Sequence, residues 1–250
     1  MPPRYEVIGI EGLPEIQLGD DLGRLIAEAA TAQGTSLAAG DLLVVSQKIV
    51  SKTEGRVLRL GDITPSPESQ AVAEEIGRDP RLVEVILRES RRVVRKDKGV
   101  LIVETHHGLV CANAGVDQSN VDADTACLLP EDSDRSARGL RDRLEALTRH
   151  RLGIIIADTF GRPWREGLTN VAIGVAGLEP LKSYLGEKDP AGHVLQATIL
   201  ALADELSSAA EPIMGKLDRI PVVVIRGLNW PRGESGSRSL LRDPSRDLFR

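Results

Sequence analysis

Short apolar runs rich in Val, Ile and Leu recur along the chain at residues 7–10, 41–45, 153–157, 170–175 and 221–225. Runs of this length, bounded by Gly, Pro or Asp, predict strands, several of them buried on both faces. Between them the apolar spacing becomes helical. Leu22, Leu25, Ile26, Ala29 and Ala30 share one face of a helix that Asp20 and Asp21 open and Gly34 ends. Residues 67–89 predict helix with a break at Asp79–Pro80, residues 136–149 a charged amphipathic helix, and residues 193–208 a strong one. Residues 99–104 and 109–113 predict paired strands around a turn at His106, His107 and Gly108. The segment 46–52 follows a strand directly. Coiled or extended, it puts Lys48 and Lys52 on one side, because they are four apart.

Strands and helices alternate irregularly, with no fixed repeat and no low-complexity linker. The expected fold class is α+β: mixed, largely antiparallel sheets with packed helices, residues 1–250 forming one domain of two interleaved lobes. The stretch 233–238 is flexible by composition, and residues 240–244 after it are expected to fold back onto a neighbour.

Composition narrows the picture. Hydrophobic residues make up 41% and charged residues 28%, as in a globular protein, while aromatics at 2% leave the core to aliphatic side chains. A formal net charge of -5 argues against nucleic acid as the main partner. The basic run Arg88, Arg91, Arg92, Arg95, Lys96 and Lys98 reads first as a solvated face and second as a docking site for an anionic substrate. Cys111 and Cys127 show neither CxxC nor zinc spacing, which points to a reducing compartment. With no secretory leader and no apolar run near the roughly 20 residues that span a bilayer, no membrane association and a cytoplasmic location are expected.

Four segments could carry chemistry. Asp158 stands at the carboxyl end of an apolar strand, the edge that opens onto a crevice in α/β sheets, with the Thr159 hydroxyl beside it. The glycine-bounded loop after it holds Arg162, Arg165 and Glu166, where guanidiniums could clamp phosphate or carboxylate; a surface turn with a local ion pair is the plain alternative. The loop 113–120 mixes Asn, Gly and Asp and could present Asp117 to Mg²⁺ or Mn²⁺, although the same residues make ordinary turns. Lys48 and Lys52 could meet a triphosphate. So could Met214, Gly215 and Lys216, unless that glycine simply ends a helix. Ala210 and Leu217 break the GxxxxGK[ST] pattern around Gly215–Lys216, and GxGxxG, HExxH and GxSxG are absent.

The order and number of these fragments resemble one family, the coenzyme F420-0:L-glutamate ligases. The resemblance begins at Gly12, Leu13, Pro14, Glu15 and Ile16 and runs through 46–56, 113–120 and 156–165 to 239–244 and 247–250. It implies GTP as phosphoryl donor, Mg²⁺ or Mn²⁺ with K⁺ as a further candidate cation, and a homodimer. It also implies that L-glutamate is joined to the deazaflavin precursor F420-0, or to F420-n as the tail grows. By the same resemblance Leu13, Pro14, Glu15, Ile16, Gln47, Lys48, Lys52 and Asn120 contact GTP, Met214, Gly215 and Lys216 border it, and Asp117, Asp158 and Thr159 bind metal. Some relatives carry Gln where Lys216 stands, and a protonated lysine cannot ligate metal. Relatives in some bacteria add a C-terminal flavin-binding domain; no separate domain of that kind is expected within residues 1–250.

Amide formation through an acyl phosphate would ask the protein mainly for positioning and charge neutralisation. Asp117 and Asp158 are the expected catalytic carboxylates, Arg165 the candidate cation for incoming glutamate, and Glu166 a candidate base. Two other readings share the residues: a ligase for a different carboxylate, and a nucleotide- or cofactor-binding module without turnover.

Overall fold

A computed structural model describes residues 2–97, 99–119 and 122–248. Asn120, Lys98 and the last two residues of the final motif lie outside the described residues. In chain order the elements are β1 (Glu6–Gly9), α1 (Leu22–Ala32), β2 (Leu42–Ser46), α2 (Gln47–Thr53), β3 (Val57–Arg59), α3 (Pro67–Ile76), α4 (Pro80–Arg88), β4 (Ser90–Asp97) and β5 (Val100–Thr105). There follow β6 (Val110–Ala112), β7 (Thr125–Cys127), α5 (Ser133–Thr148), β8 (Gly153–Arg162), β9 (Arg165–Ala176), β10 (Lys182–Ser183), β11 (Ile199–Leu200), α6 (Leu202–Met214) and β12 (Val222–Arg226).

The central sheet runs β1-β12-β2-β8-β9. Its pairings are antiparallel except β2 with β8. Alternation of side chains decides what each face buries. Leu43, Val45, Ile154, Ile156, Val222 and Val224 share one core with Ile26 of α1 and Leu144 of α5. Their neighbours Leu42, Val44, Ile155, Val223 and Ile225 share the other with Leu206 and Ala210 of α6. Both faces are covered, which is why these strands read as unbroken apolar runs. A third core joins α3 and α4 to β5, and β4, β5 and β6 form an antiparallel sheet beside it. The class is the α+β arrangement of mixed, largely antiparallel sheets that the pattern predicts.

The paired strands around His106–His107 are β5 and β6, and the helix expected over 67–89 divides into α3 and α4 on either side of Gly77, Arg78 and Asp79. The helix expected over 193–208 is displaced. Residues 193–201 form turns and the short β11, and α6 spans Leu202–Met214. Asp204 and Glu205 favour a start in this turn, since acidic groups suit a helix N-terminus. The helix then continues through Pro212. β4 is a strand that the charged run concealed: its residues pair with β5, and its cations meet carboxylates nearby. Ser235 and Ser237 bond Glu179 and Asp134, so the stretch 233–238 runs along the body of the protein, and Leu240 packs on the α6 side.

Candidate functional site

β2 and β8 run parallel, and β2 ends at Ser46 opposite Ala157, whereas β8 continues to Arg162. The strand expected to end before Asp158 therefore runs past it, held by its antiparallel pairing with β9. Asp158 and Thr159 lie mid-strand at the edge where β2 stops. A cavity of about 1220 Å³ opens there, beyond the roughly 300–1,000 Å³ of a drug-sized site. The loop after β1 contributes Leu13, Pro14, Glu15 and Ile16 to its wall, and α2 contributes Gln47, Lys48 and Lys52. Asp117, Asp158 and Thr159 line it, as do Met214, Gly215 and Lys216 beyond α6. Segments far apart in sequence thus converge. Arg162, Arg165 and Glu166 do not line the cavity: they sit at the exposed tip of the β8–β9 hairpin, where the Arg162 guanidinium donates to the Glu166 carbonyl. Asn120 lies outside the described residues.

Each group is aimed by its local fold. Residues 47–53 coil into α2, which puts Lys48 and Lys52 one turn apart on the cavity side. The Lys48 ammonium donates to Asp117 Oδ2 at 2.7 Å, to the Ser119 carbonyl at 2.7 Å and to its hydroxyl at 2.9 Å. Lys52 pairs with Glu15. Asp117 is tied through its backbone to Cys127, and its Oδ1 accepts the Ser119 N–H. The turn before it is left-handed at Asn113, Ala114 and Gly115; a Cβ on Gly115 would lie 2.8 Å from Leu129, so glycine is required.

Asp158 and Thr159 are consecutive in β8 and therefore point to opposite faces. Asp158 continues the Ile154–Ile156 side. Thr159 continues the side covered by α6, where its hydroxyl meets Lys216. A β-bulge in the β8–β9 ladder lies between Ile156 and Ala157, just before this pair, a device that re-aims side chains at the rim of a sheet.

The two aspartates differ electrostatically. Burial pushes Asp158 up to about 6; the Thr159 backbone N–H, Lys48 and Lys216 offset only part of this, and the charge of Asp117 adds to it. Burial acts the same way on Asp117, but the Lys48 ammonium and the Ser119 donors outweigh it and the carboxyl falls below its ordinary value. Cys111 and Cys127 are buried free thiols, raised by desolvation to about 12 and about 11.

The pattern of residues missed Asn170 and Glu211. Asn170 is buried at the start of the 170–175 run, a polar residue in an apolar strand, and this was the available signal. Glu211 lay beyond the end of the helix as predicted, so nothing drew it to the site.

The fold and cavity define an α+β protein in which the described residues form a crevice lined by lysines and carboxylates together. A protein-family model described as F420-0:Gamma-glutamyl ligase matches residues 11–227. Coenzyme F420:L-glutamate ligase of Methanothermobacter thermautotrophicus is 46% identical over 98% of each chain. The proteins of the same name in Methanopyrus kandleri and Methanocaldococcus jannaschii are 47% and 43% identical, each over 99% of this chain and 97% of the relative. The chain belongs to the F420-0:gamma-glutamyl ligase family. No helix among the described residues is long and apolar enough to cross a membrane.

Proposed function

We propose that this chain is a ligase that joins L-glutamate to the deazaflavin precursor F420-0 and its glutamylated forms, using GTP and divalent metal. The names of its relatives support the substrates. The observation that carries the chemistry is the convergence of Lys48, Lys52 and Lys216 with Asp117, Asp158 and Thr159 in one cavity.

Asp117, Asp158 and Thr159 offer hard oxygen donors, which suit Mg²⁺ or Mn²⁺. No group of three His, Cys, Asp or Glu side chains is assembled for a metal among the described residues. A small protein donor set is what magnesium sites on nucleotides use, since phosphates and water complete them. Bound there, the metal supplies charge neutralisation to the phosphate chain.

The chain's own residues do the rest. Lys48 and Lys52 leave Asp117 and Glu15 to meet phosphate oxygens, and the walls hold the donor and acceptor carboxylate in line. The acceptor carboxylate oxygen attacks the γ-phosphorus, its bond to the β-phosphate oxygen breaks, and GDP leaves. The glutamate amine then attacks the acyl carbon, phosphate leaves, and the nitrogen loses a proton. A homodimer in the cytoplasm belongs to the same proposal.

Incubation of the protein with GTP, Mn²⁺, L-glutamate and the precursor tests it. A mass gain of one glutamyl residue, with one GDP released per residue added, is expected. Folded protein that binds GTP yet gives no gain would overturn the assignment.

A further inference from the structure

Beside Asp158 four side chains close a ring of hydrogen bonds. Thr159 Oγ1 donates to Asn170 Oδ1 at 2.7 Å. Asn170 Nδ2 donates to Glu211 Oε2 at 2.8 Å. Glu211 Oε1 pairs with the Lys216 ammonium at 3.1 Å, and that ammonium donates to Thr159 Oγ1 at 2.6 Å. Thr159 and Asn170 are cross-strand partners in β8 and β9, while Glu211 and Lys216 flank the end of α6.

The ring has a direction. An ionised carboxylate only accepts, so Glu211 must face the amide nitrogen of Asn170 and cannot face its oxygen. The Met214 sulfur, 3.9 Å from the same nitrogen, agrees with that orientation. Asn170 Oδ1 is thereby turned to Thr159 and takes the only hydroxyl proton. Oγ1 is left with lone pairs alone, and one of them already accepts from a cation. A hydroxyl in this state cannot donate to a phosphate oxygen; it can only receive positive charge.

We propose that Asn170 and Glu211 are positioning residues that fix the polarity of the Thr159 hydroxyl, committing it to a cation and withholding it from phosphate. This rests on the reading of the cavity as a metal–nucleotide site. Glu211 acts through Asn170 and Thr159. Glu211→Gln is nearly isosteric but can donate, so it releases the amide orientation and with it the hydroxyl.

The test is Mn²⁺ affinity of the nucleotide-free protein, read from the electron paramagnetic resonance signal of free Mn²⁺, in a double-mutant cycle with Thr159→Val. Glu211→Gln is expected to weaken Mn²⁺ binding roughly tenfold, the scale at which partners behind a ligand act. In the Thr159→Val background the same change is expected to have less than about a twofold effect, because the group it orients is gone. Glu211→Asp, still acceptor-only, is expected to retain most of the affinity. Equal Mn²⁺ affinity in Glu211→Gln and the parent would overturn the proposal. So would an undiminished loss in the Thr159→Val background, which would mean that Glu211 acts by charge alone. A parent protein without Mn²⁺ affinity both alone and with a non-hydrolysable GTP analogue bound would instead overturn the cation reading of the whole cavity, and this inference with it.

Discussion

Asp117 and Asp158 line one cavity, and the fold treats them oppositely. Asp117 arrives with its compensation built in: Lys48 from α2 and two donors from Ser119. Its ionised form helps hold the structure together. Asp158 stands in β8 just past its buried half, with no side-chain ion pair among the described residues, and burial raises it to about 6. Its ionised form works against the fold. A carboxylate that the protein compensates only in part is the one that a bound cation would relieve most, so the larger effect is expected at Asp158.

Replacing Asp158 by Asn is the strongest way to break this contrast. Ligation is expected to fall more than about a hundredfold, since charge stabilisation by metal is worth several kcal/mol. The metal-free protein is expected to become more stable at neutral pH. The sign follows from the raised titration. Below about pH 3 the group is protonated in folded and unfolded chains alike. As pH rises, the unfolded chain ionises first, and parent stability declines until the folded group titrates near 6. Asn removes that decline, a gain of about 1–3 kcal/mol above pH 7. Urea unfolding at pH 4 and pH 8 measures it. A variant less stable than the parent at pH 8 would mean that Asp158 is compensated after all.

Lys48→Met attacks the other member. Asp117 then keeps its burial and loses its cation, so its carboxyl should rise toward the behaviour of Asp158. Stability is expected to drop by no more than about 1 kcal/mol, because the Asp117 side chain is 41% exposed and solvent screens the pair. Nucleotide affinity should fall roughly tenfold or more through the lost phosphate contact. Calorimetric titration with a non-hydrolysable GTP analogue reports the second effect, and unchanged affinity would remove Lys48 from the phosphate site.

Much of this is legible in the sequence, and the reasons are specific. Asp158 is visible because the apolar run stops at it, although the strand itself does not. β8 continues to Arg162 on its pairing with β9, which the polar composition of 158–166 conceals, and the crevice opens where the shorter β2 ends. Lys48 and Lys52 were visible as a pair because both conformations open to residues 46–52 kept them on one side. Their partners were not visible: Lys48 meets Asp117 and Lys52 meets Glu15 through contacts that only the tertiary fold creates. Glu211 was hidden by a misplaced helix end. β4 was hidden because a strand whose cations are paired across a neighbouring strand has the same composition as a solvated face.

The Lys52–Glu15 pair sharpens the comparison more gently. Glu15 is largely exposed, so it contributes little to stability, yet it holds a lysine that a phosphate would need. Glu15→Gln removes the competitor. Nucleotide affinity is expected to improve by about two- to fivefold, with stability unchanged to within about 0.5 kcal/mol. Weaker binding in this variant would show that Glu15 itself contacts the nucleotide.

The smallest expected effect lies outside the cavity, and it decides how the basic run is read. Lys96 pairs with Glu75 on the surface, and both side chains are substantially exposed. Arg91 and Arg92 likewise meet Glu104 on the adjoining β5. Cations matched by carboxylates this close produce little net field at a distance, whereas the cavity lysines face carboxylates that a bound metal would draw away. Lys96→Ala should therefore change stability by less than about 1 kcal/mol and leave kcat/KM for every substrate within about twofold. A tenfold rise in KM for the deazaflavin precursor, at unchanged kcat, would reverse this reading. β4 would then be a docking face for an anionic substrate, and its neutralised cations would be waiting for one.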